Sequence, residues 1–195
     1  MKKKNLSVVI VAAMVLLSLA LISCASTPQS KSEKEQKQED VRNVANTTLA
    51  QLYAKYPAAK SEIAKAAGYA VFSDFGFKFM FLGGAGGSGV AVNNATKQET
   101  YMKMAEFQPG FGFGAAKFRI VFIFETLEAF NSFVTSGWEA GANAMASAKT
   151  KAEGGALAGA VTVSNGVKMF QLNDEGAIVG VSITAAKYYK DKELN

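Results

Sequence analysis

One cysteine, no histidine and a scatter of lysines and carboxylates bound the chemistry open to this chain. Cys24 closes the run Leu21-Ile22-Ser23-Cys24, behind Lys2, Lys3 and Lys4 and an apolar stretch from Leu6 to Ile22. A basic start, a hydrophobic run, a small residue and then cysteine is the layout of a bacterial lipoprotein signal. The order has a chemical reason. The short side chain of Ser23 lets the scissile backbone enter a peptidase, and the Cys24 thiol is the nucleophile that takes up a diacylglyceryl group. Left uncleaved, residues 6–22 would form a helix of about 26 Å, slightly short of the roughly 30 Å hydrocarbon core. The position of Cys24 favours cleavage and lipidation. Acyl chains at about 0.8 kcal/mol per buried CH₂ would then anchor the mature chain firmly.

The absence of histidine removes zinc sites of His/Cys type, Ser-His-Asp triads and Cys-His pairs. Carboxylate-bound Ca²⁺ or Mg²⁺ stays open, but no D-x-[DN]-x-[DN]-G calcium loop occurs; the expectation is no metal and no cofactor. Asp74, Glu99, Glu106 and Glu125 are the carboxylates that acid–base catalysis would have to use. The sequence does not establish their proximity; a hydrolase or transferase using them is a further alternative, and the expectation is a protein that is not an enzyme. The net charge of +5 overstates the mature chain. Removing the three lysines of residues 1–23 from 21 basic side chains leaves 18 against 16 acidic ones. That balance is no footprint for nucleic acid.

The elements that must position any site follow from composition shifts along the chain. Residues 1–23 read as the signal peptide. Residues 24–40 read as the lipidated cysteine and a polar tether, whose late part is alternatively the exposed start of a helix. Residues 41–195 read as one domain, large enough to bury roughly 70% of its unfolded surface. Val41, Val44, Thr48, Leu52 and Tyr56 follow helical spacing, with Ala45 and Leu49 alongside. Pro57 interrupts, and a second helix over 58–67 is expected to end at Gly68 as its C′ residue. Lys55, Lys60 and Lys65 give these helices a basic edge, suited to anionic headgroups or simply to water.

From Tyr69 the texture becomes β-like. Short runs at 70–72 and 77–82 precede a glycine stretch at 83–89, and Asn93-Asn94 suggests a turn before a strand over 99–107. Residues 117–125 predict a strand with Phe118, Ile120, Phe122 and Phe124 on one face and Arg119, Val121 and Ile123 on the other, both covered. Thr126 is placed to cap a helix over 127–136 that Gly137 ends. An Ala-rich segment at 139–153 follows. Asn165-Gly166 predicts a type I′ hairpin turn, with positive φ at both residues. A further turn is expected at 174–176, before a strand over 177–186. The fold class is α+β: N-terminal helices, then a curved, mainly antiparallel, glycine-rich sheet with an inserted helix.

The stretch Gly83–Gly89 invites a phosphate-cradle reading. It lacks the Lys-Ser/Thr of a P-loop, and Val90-Ala91-Val92 after it is strand-like rather than helical. Glycine that lets a sheet bend, or lets two backbones approach, is the simpler reading. A glycine-floored groove for an acyl chain is the alternative.

Several blocks in order carry a resemblance. They are Ala67-Gly68-Tyr69-Ala70-Val71-Phe72, the run from Gly83 to Val90, Tyr101-Met102-Lys103-Met104-Ala105-Glu106, Phe111-Gly112-Phe113-Gly114, the run from Phe118 to Thr126, and Phe133-Val134-Thr135-Ser136-Gly137-Trp138. Together they resemble the SYLF domain, a family of lipid-binding domains found in bacterial envelope lipoproteins and in eukaryotic trafficking and actin-associated proteins. The resemblance implies a non-catalytic module that binds lipid. Eukaryotic relatives bind phosphoinositides partly through an amphipathic segment that would correspond to residues 41–67, which adds weight to Lys55, Lys60 and Lys65. On this reading Phe77, Phe79, Phe81, Phe111 and Phe113 are candidate acyl contacts, and Lys103 and Arg119 candidate headgroup contacts. Ala25 after the cysteine resembles the sorting pattern for the outer membrane, so the domain is expected to face the periplasm. The partners expected are membrane lipids, not nucleic acid. The alternative is a structural envelope protein that binds another protein through its sheet edge or Trp138.

Overall fold

The computed structural model describes residues 31–80, 82–107, 112–140, 159–173 and 185–195. Cys24 and the signal peptide lie outside them, as do the segment 141–153 and the turn at 174–176. Helix α1 runs Lys31–Lys55 and α2 runs Pro57–Lys65. Then come β1 (Gly68–Met80), β2 (Leu82–Asn93), β3 (Glu99–Phe107), β4 (Gly112–Phe124), α3 (Leu127–Ser136), β5 (Trp138–Ala140), β6 (Val161–Ser164), β7 (Val167–Asn173) and β8 (Ala185–Lys190). The α+β architecture expected from sequence is present. Among the described residues no helix is long and apolar enough to cross a membrane.

The eight strands form one sheet in the order β5-β8-β3-β2-β1-β4-β7-β6, antiparallel throughout. Among the described residues its outermost strands are β5 and the four-residue β6, whose register shifts between Thr162 and Ser164. The sheet curls strongly. Tyr188 of β8 lies three strands from Phe72 of β1, about 14 Å away in a flat sheet, yet their ring centroids are 4.9 Å apart. The Tyr188 ring also meets Phe122 of β4 edge-on at 5.1 Å.

Period-2 alternation loads both faces, as the pattern in 117–125 predicts. Ile120, Phe122 and Phe124 point to one side, where Phe72, Met102, Met104 and Tyr188 pack with Phe130 and Phe133 of α3. Val121 and Ile123 point to the other, where Val71, Val90, Phe170 and Leu172 pack with Leu49 and Leu52 of α1 and Ile63 of α2. Burying a phenylalanine is worth about 1.5–3 kcal/mol, and Phe72, Phe122, Phe124 and Phe170 are almost wholly buried. These rings drive the fold.

Pro57 ends α1 and starts α2 at its first position, where a missing N–H costs nothing. The α1 stripe is Ala45, Thr48, Leu49 and Leu52, while Val44 is left 37% exposed and Tyr56 falls past the helix end. Residues 31–40 take the alternative given for the late part of the tether and form the first turns of α1. Its polar face gave no apolar period to mark the start. Gly68 is not a helix cap. It opens β1, and a Cβ there would come within 2.4 Å of the Phe130 ring. The Asn93-Asn94 turn forms, with Asn93 Oδ1 accepting from the amides of Ala95 and Thr96 at 2.9 and 3.0 Å. Thr126 caps α3 through Ala129 N–H at 3.2 Å, and Gly137 ends it at φ 74°. The hairpin at Asn165-Gly166 also forms, but only Gly166 has positive φ, so the turn is not type I′. The register shift in β6 absorbs the twist that a type I′ turn would have supplied.

Candidate functional site

Between α1 and the glycine part of the sheet lies a cleft of about 470 Å³. Asp40, Val41, Val44 and Ala45 form one wall; Val71, Ser73 and Phe75 of β1 form the other. Gly86 and Ser88 lie between them, and Lys117 and Arg119 of β4 stand at the far side. Phe75 is 50% exposed, one of the few large apolar side chains left so open. The cleft therefore joins apolar walls to two basic side chains, with the carboxylates of Asp40 and Asp74 also in its lining.

Glycine has two separate jobs in β2. The stretch from Gly83 to Gly89 is paired to β1 on one side and β3 on the other, so its amides serve the ladder rather than an anion. Gly87 and Gly89 share a face with Ala85, toward α3. A Cβ on Gly87 would lie 2.4 Å from Ser73 O, and one on Gly89 2.4 Å from the Phe72 ring. Those two positions admit no side chain without movement, which bears out the close-approach reading. Gly86 shares the parity of Val90, toward α1, and a Cβ there meets nothing nearer than Met104 O at 3.9 Å. Gly86 is the open floor of the cleft.

Arg119 is held in place: its Nη1 donates to Gln51 Oε1 of α1 at 2.8 Å. Lys117 is exposed. The position of α1 over the sheet is fixed by a polar cluster further along β3. Arg42 Nη1 donates to Glu99 Oε2 at 3.1 Å and to Tyr101 Oη at 2.7 Å, and Tyr101 Oη donates to Glu99 at 2.6 Å. Burial first, and then Glu99, pushes the Tyr101 phenol up to about 12. Lys168 of β7 bridges Glu62 of α2 at 3.2 Å and Glu125 at 2.8 Å. The last residues add a clip, in which the Asn195 side chain accepts from Tyr101 N–H and donates to Tyr101 C=O.

Of the lipid contacts singled out in the sequence, Arg119 is the one among the described residues that lines this cleft, and the candidate carboxylate Asp74 lines it too. Lys103 sits in a neighbouring depression, with Nζ 3.4 Å from Asp191 and 3.3 Å from Glu193. Burial pulls its ammonium down, but the two carboxylates outweigh that and raise it. Lys103 is already neutralised, which makes it a poor headgroup contact. Lys55, Lys60 and Lys65 are exposed on α1 and α2 and do not line the cleft. Phe77, Phe79 and Phe113 are backbone positions of β1 and β4, with Phe79 opposite Phe113. Phe81 and Phe111 lie outside the described residues. The sequence reading missed Val44, Phe75 and Lys117. Phe75 fell between two runs that turn out to be one strand, and its parity with Val71 would have placed it.

Of the four candidate carboxylates, Asp74 and Glu106 lie close enough to interact, while Glu99 and Glu125 sit elsewhere. Glu99 and Glu125 are held in the ion pairs above. Asp74 is only 4% exposed, and its Oδ1 has no hydrogen-bond partner among the described residues. Burial, reinforced by Glu106, raises it to about 7 against hydrogen bonds from the amides of Asp74 and Phe118. No group of three metal-ligating side chains occurs among the described residues.

No family model matches the chain. A curated protein, Beta cell expansion factor A of Aeromonas veronii, is 36% identical over 160 residues. The match covers 79% of this chain and 57% of that protein, so the chain spans a little over half of its relative's length.

Proposed function

We propose that this protein is a bacterial envelope lipoprotein, anchored through Cys24, whose SYLF-like domain binds a membrane phospholipid or related amphiphile without catalysing a reaction. The observation that supports the reading best is the cleft over Gly86. Val41, Val44 and Phe75 offer apolar surface to an acyl chain, and Lys117 and Arg119 offer charge to an anionic headgroup. Lys55, Lys60 and Lys65 supply a separate basic edge for contact with a bilayer. Outer-membrane attachment facing the periplasm is part of the same proposal.

The test uses a soluble form lacking residues 1–24, incubated with phospholipid vesicles, reisolated and examined by native mass spectrometry. The expected result is one bound phospholipid, lost when Gly86 is replaced by Val and weakened when Lys117 and Arg119 are replaced by Ala. A domain that stays lipid-free and ignores vesicles overturns the proposal. A single dominant protein crosslink in cells, with no lipid adduct, would point instead to a structural envelope protein.

A further inference from the structure

A second cleft, of about 360 Å³, lies on the opposite face of the sheet between α3 and the β6–β7 hairpin. Its base is aromatic: Phe122, Phe124, Phe133 and Trp138. The rings brace one another, with Phe122 edge-on to Trp138 at 5.6 Å and Phe124 against Phe133 at 4.9 Å. Two local devices fix the walls. The Thr126 cap sets the start of α3, and Gly137 turns the chain so that Trp138 meets Tyr188 at 5.8 Å. A Cβ on Gly137 would come within 2.4 Å of Tyr188 O, so this turn is specific to glycine.

The rim is polar. Ser132, Ser164 and Asn165 line it with Glu128, the one ionisable side chain of the lining among the described residues. Aromatic rings with a single carboxylate complement a cation that carries an apolar body. The volume is at the small end of the range for ligand sites. We infer that this cleft is a binding site for a small organic ammonium ion, its charge beside Glu128 and its apolar part toward Trp138. The site is distinct from the lipid cleft, which lies across the sheet, and the inference does not depend on that reading.

Trp138 is the sole tryptophan of the chain, so its emission reports on this cleft alone. The full-length protein in nanodiscs of zwitterionic phospholipid would be titrated with benzyltrimethylammonium, excited at the red edge of tryptophan absorption. Benzyl alcohol and phenylacetate serve as neutral and anionic counterparts. The expected result is a saturable change with the ammonium, about tenfold weaker binding of benzyl alcohol, and none of phenylacetate. Glu128 is exposed on α3, so E128Q should fold normally by circular dichroism and lose about the same factor for the ammonium only. S132F, which fills the cleft from the exposed helix surface, should abolish the change; calorimetry with the same probe confirms this independently of Trp138. Replacing Lys117 and Arg119 should leave the titration unaltered. Equal affinity for the alcohol, or an E128Q protein that binds as the parent does, overturns the assignment of a cation. No saturable change with any probe overturns the site.

Discussion

Replacing Asp74 by Asn should reverse the sign of its effect on stability between acid and alkaline pH. The carboxyl ionises at 3.8 in the unfolded chain and at about 7 when folded. Below 3.8 both states hold the proton and the group contributes no penalty. Between the two values the unfolded chain releases the proton while the folded chain keeps it, so stability falls by about 1.4 kcal/mol per pH unit. The loss is complete just above pH 7, at about 4 kcal/mol. Asn cannot ionise, so it removes this loss. It adds an amide where Oδ1 now lacks a partner, which costs about 1–3 kcal/mol at every pH. The variant should therefore be less stable than the parent by about 1–3 kcal/mol at pH 4 and more stable by about the same amount at pH 8.5. Urea denaturation followed by circular dichroism at pH 4, 6 and 8.5 measures the difference. If the two stability curves run parallel across that range, Asp74 is not a buried acid with a shifted ionisation, and the reasoning fails.

Three further outcomes follow from the geometry and a fourth from the proposed lipidation of Cys24. Gly86→Val should leave the melting temperature nearly unchanged while filling the cleft, whereas Gly89→Val should destabilise the fold by several kcal/mol or prevent folding, because its side chain overlaps the Phe72 ring; thermal melts of both separate the two roles. Phe122→Ala should cost about 3–5 kcal/mol in denaturant titrations, since Phe122 touches Phe72, Phe133, Trp138 and Tyr188. Spectrophotometric titration should find one tyrosine ionising near 12, and Arg42→Ala should shift that step, because Arg42 and Glu99 both contact the Tyr101 hydroxyl. Cys24→Ala should abolish labelling by a fatty-acid analogue and release the protein from the membrane fraction.

The sheet was legible where each face carried its own apolar set. Residues 117–125 alternate two kinds of bulk, and both sets are buried as that pattern requires. The α3 boundaries were legible because a capping Thr and a terminating Gly bracket them. The start of α1 was not, since Lys31–Asp40 is charged on all sides and helical polar residues look like tether. Gly68 misled for a physical reason: glycine serves both helix ends and close approach, and only the Phe130 ring, far off in sequence, tells which applies. The cleft was partly legible. A glycine floor and Arg119 were readable, but Phe75 and Lys117 needed the register of β1 against β4. The Asp74 environment needed the curl itself, which brings β8 over β1 across two intervening strands.

The brevity of β6 bears on how the protein behaves when it is crowded. A flat sheet margin offers unpaired backbone groups to any neighbouring copy and templates fibrous stacking. Here the β6 margin spans four residues with its ladder interrupted. That margin gives a second molecule few consecutive partners to zip onto, so copies meeting there stay separate.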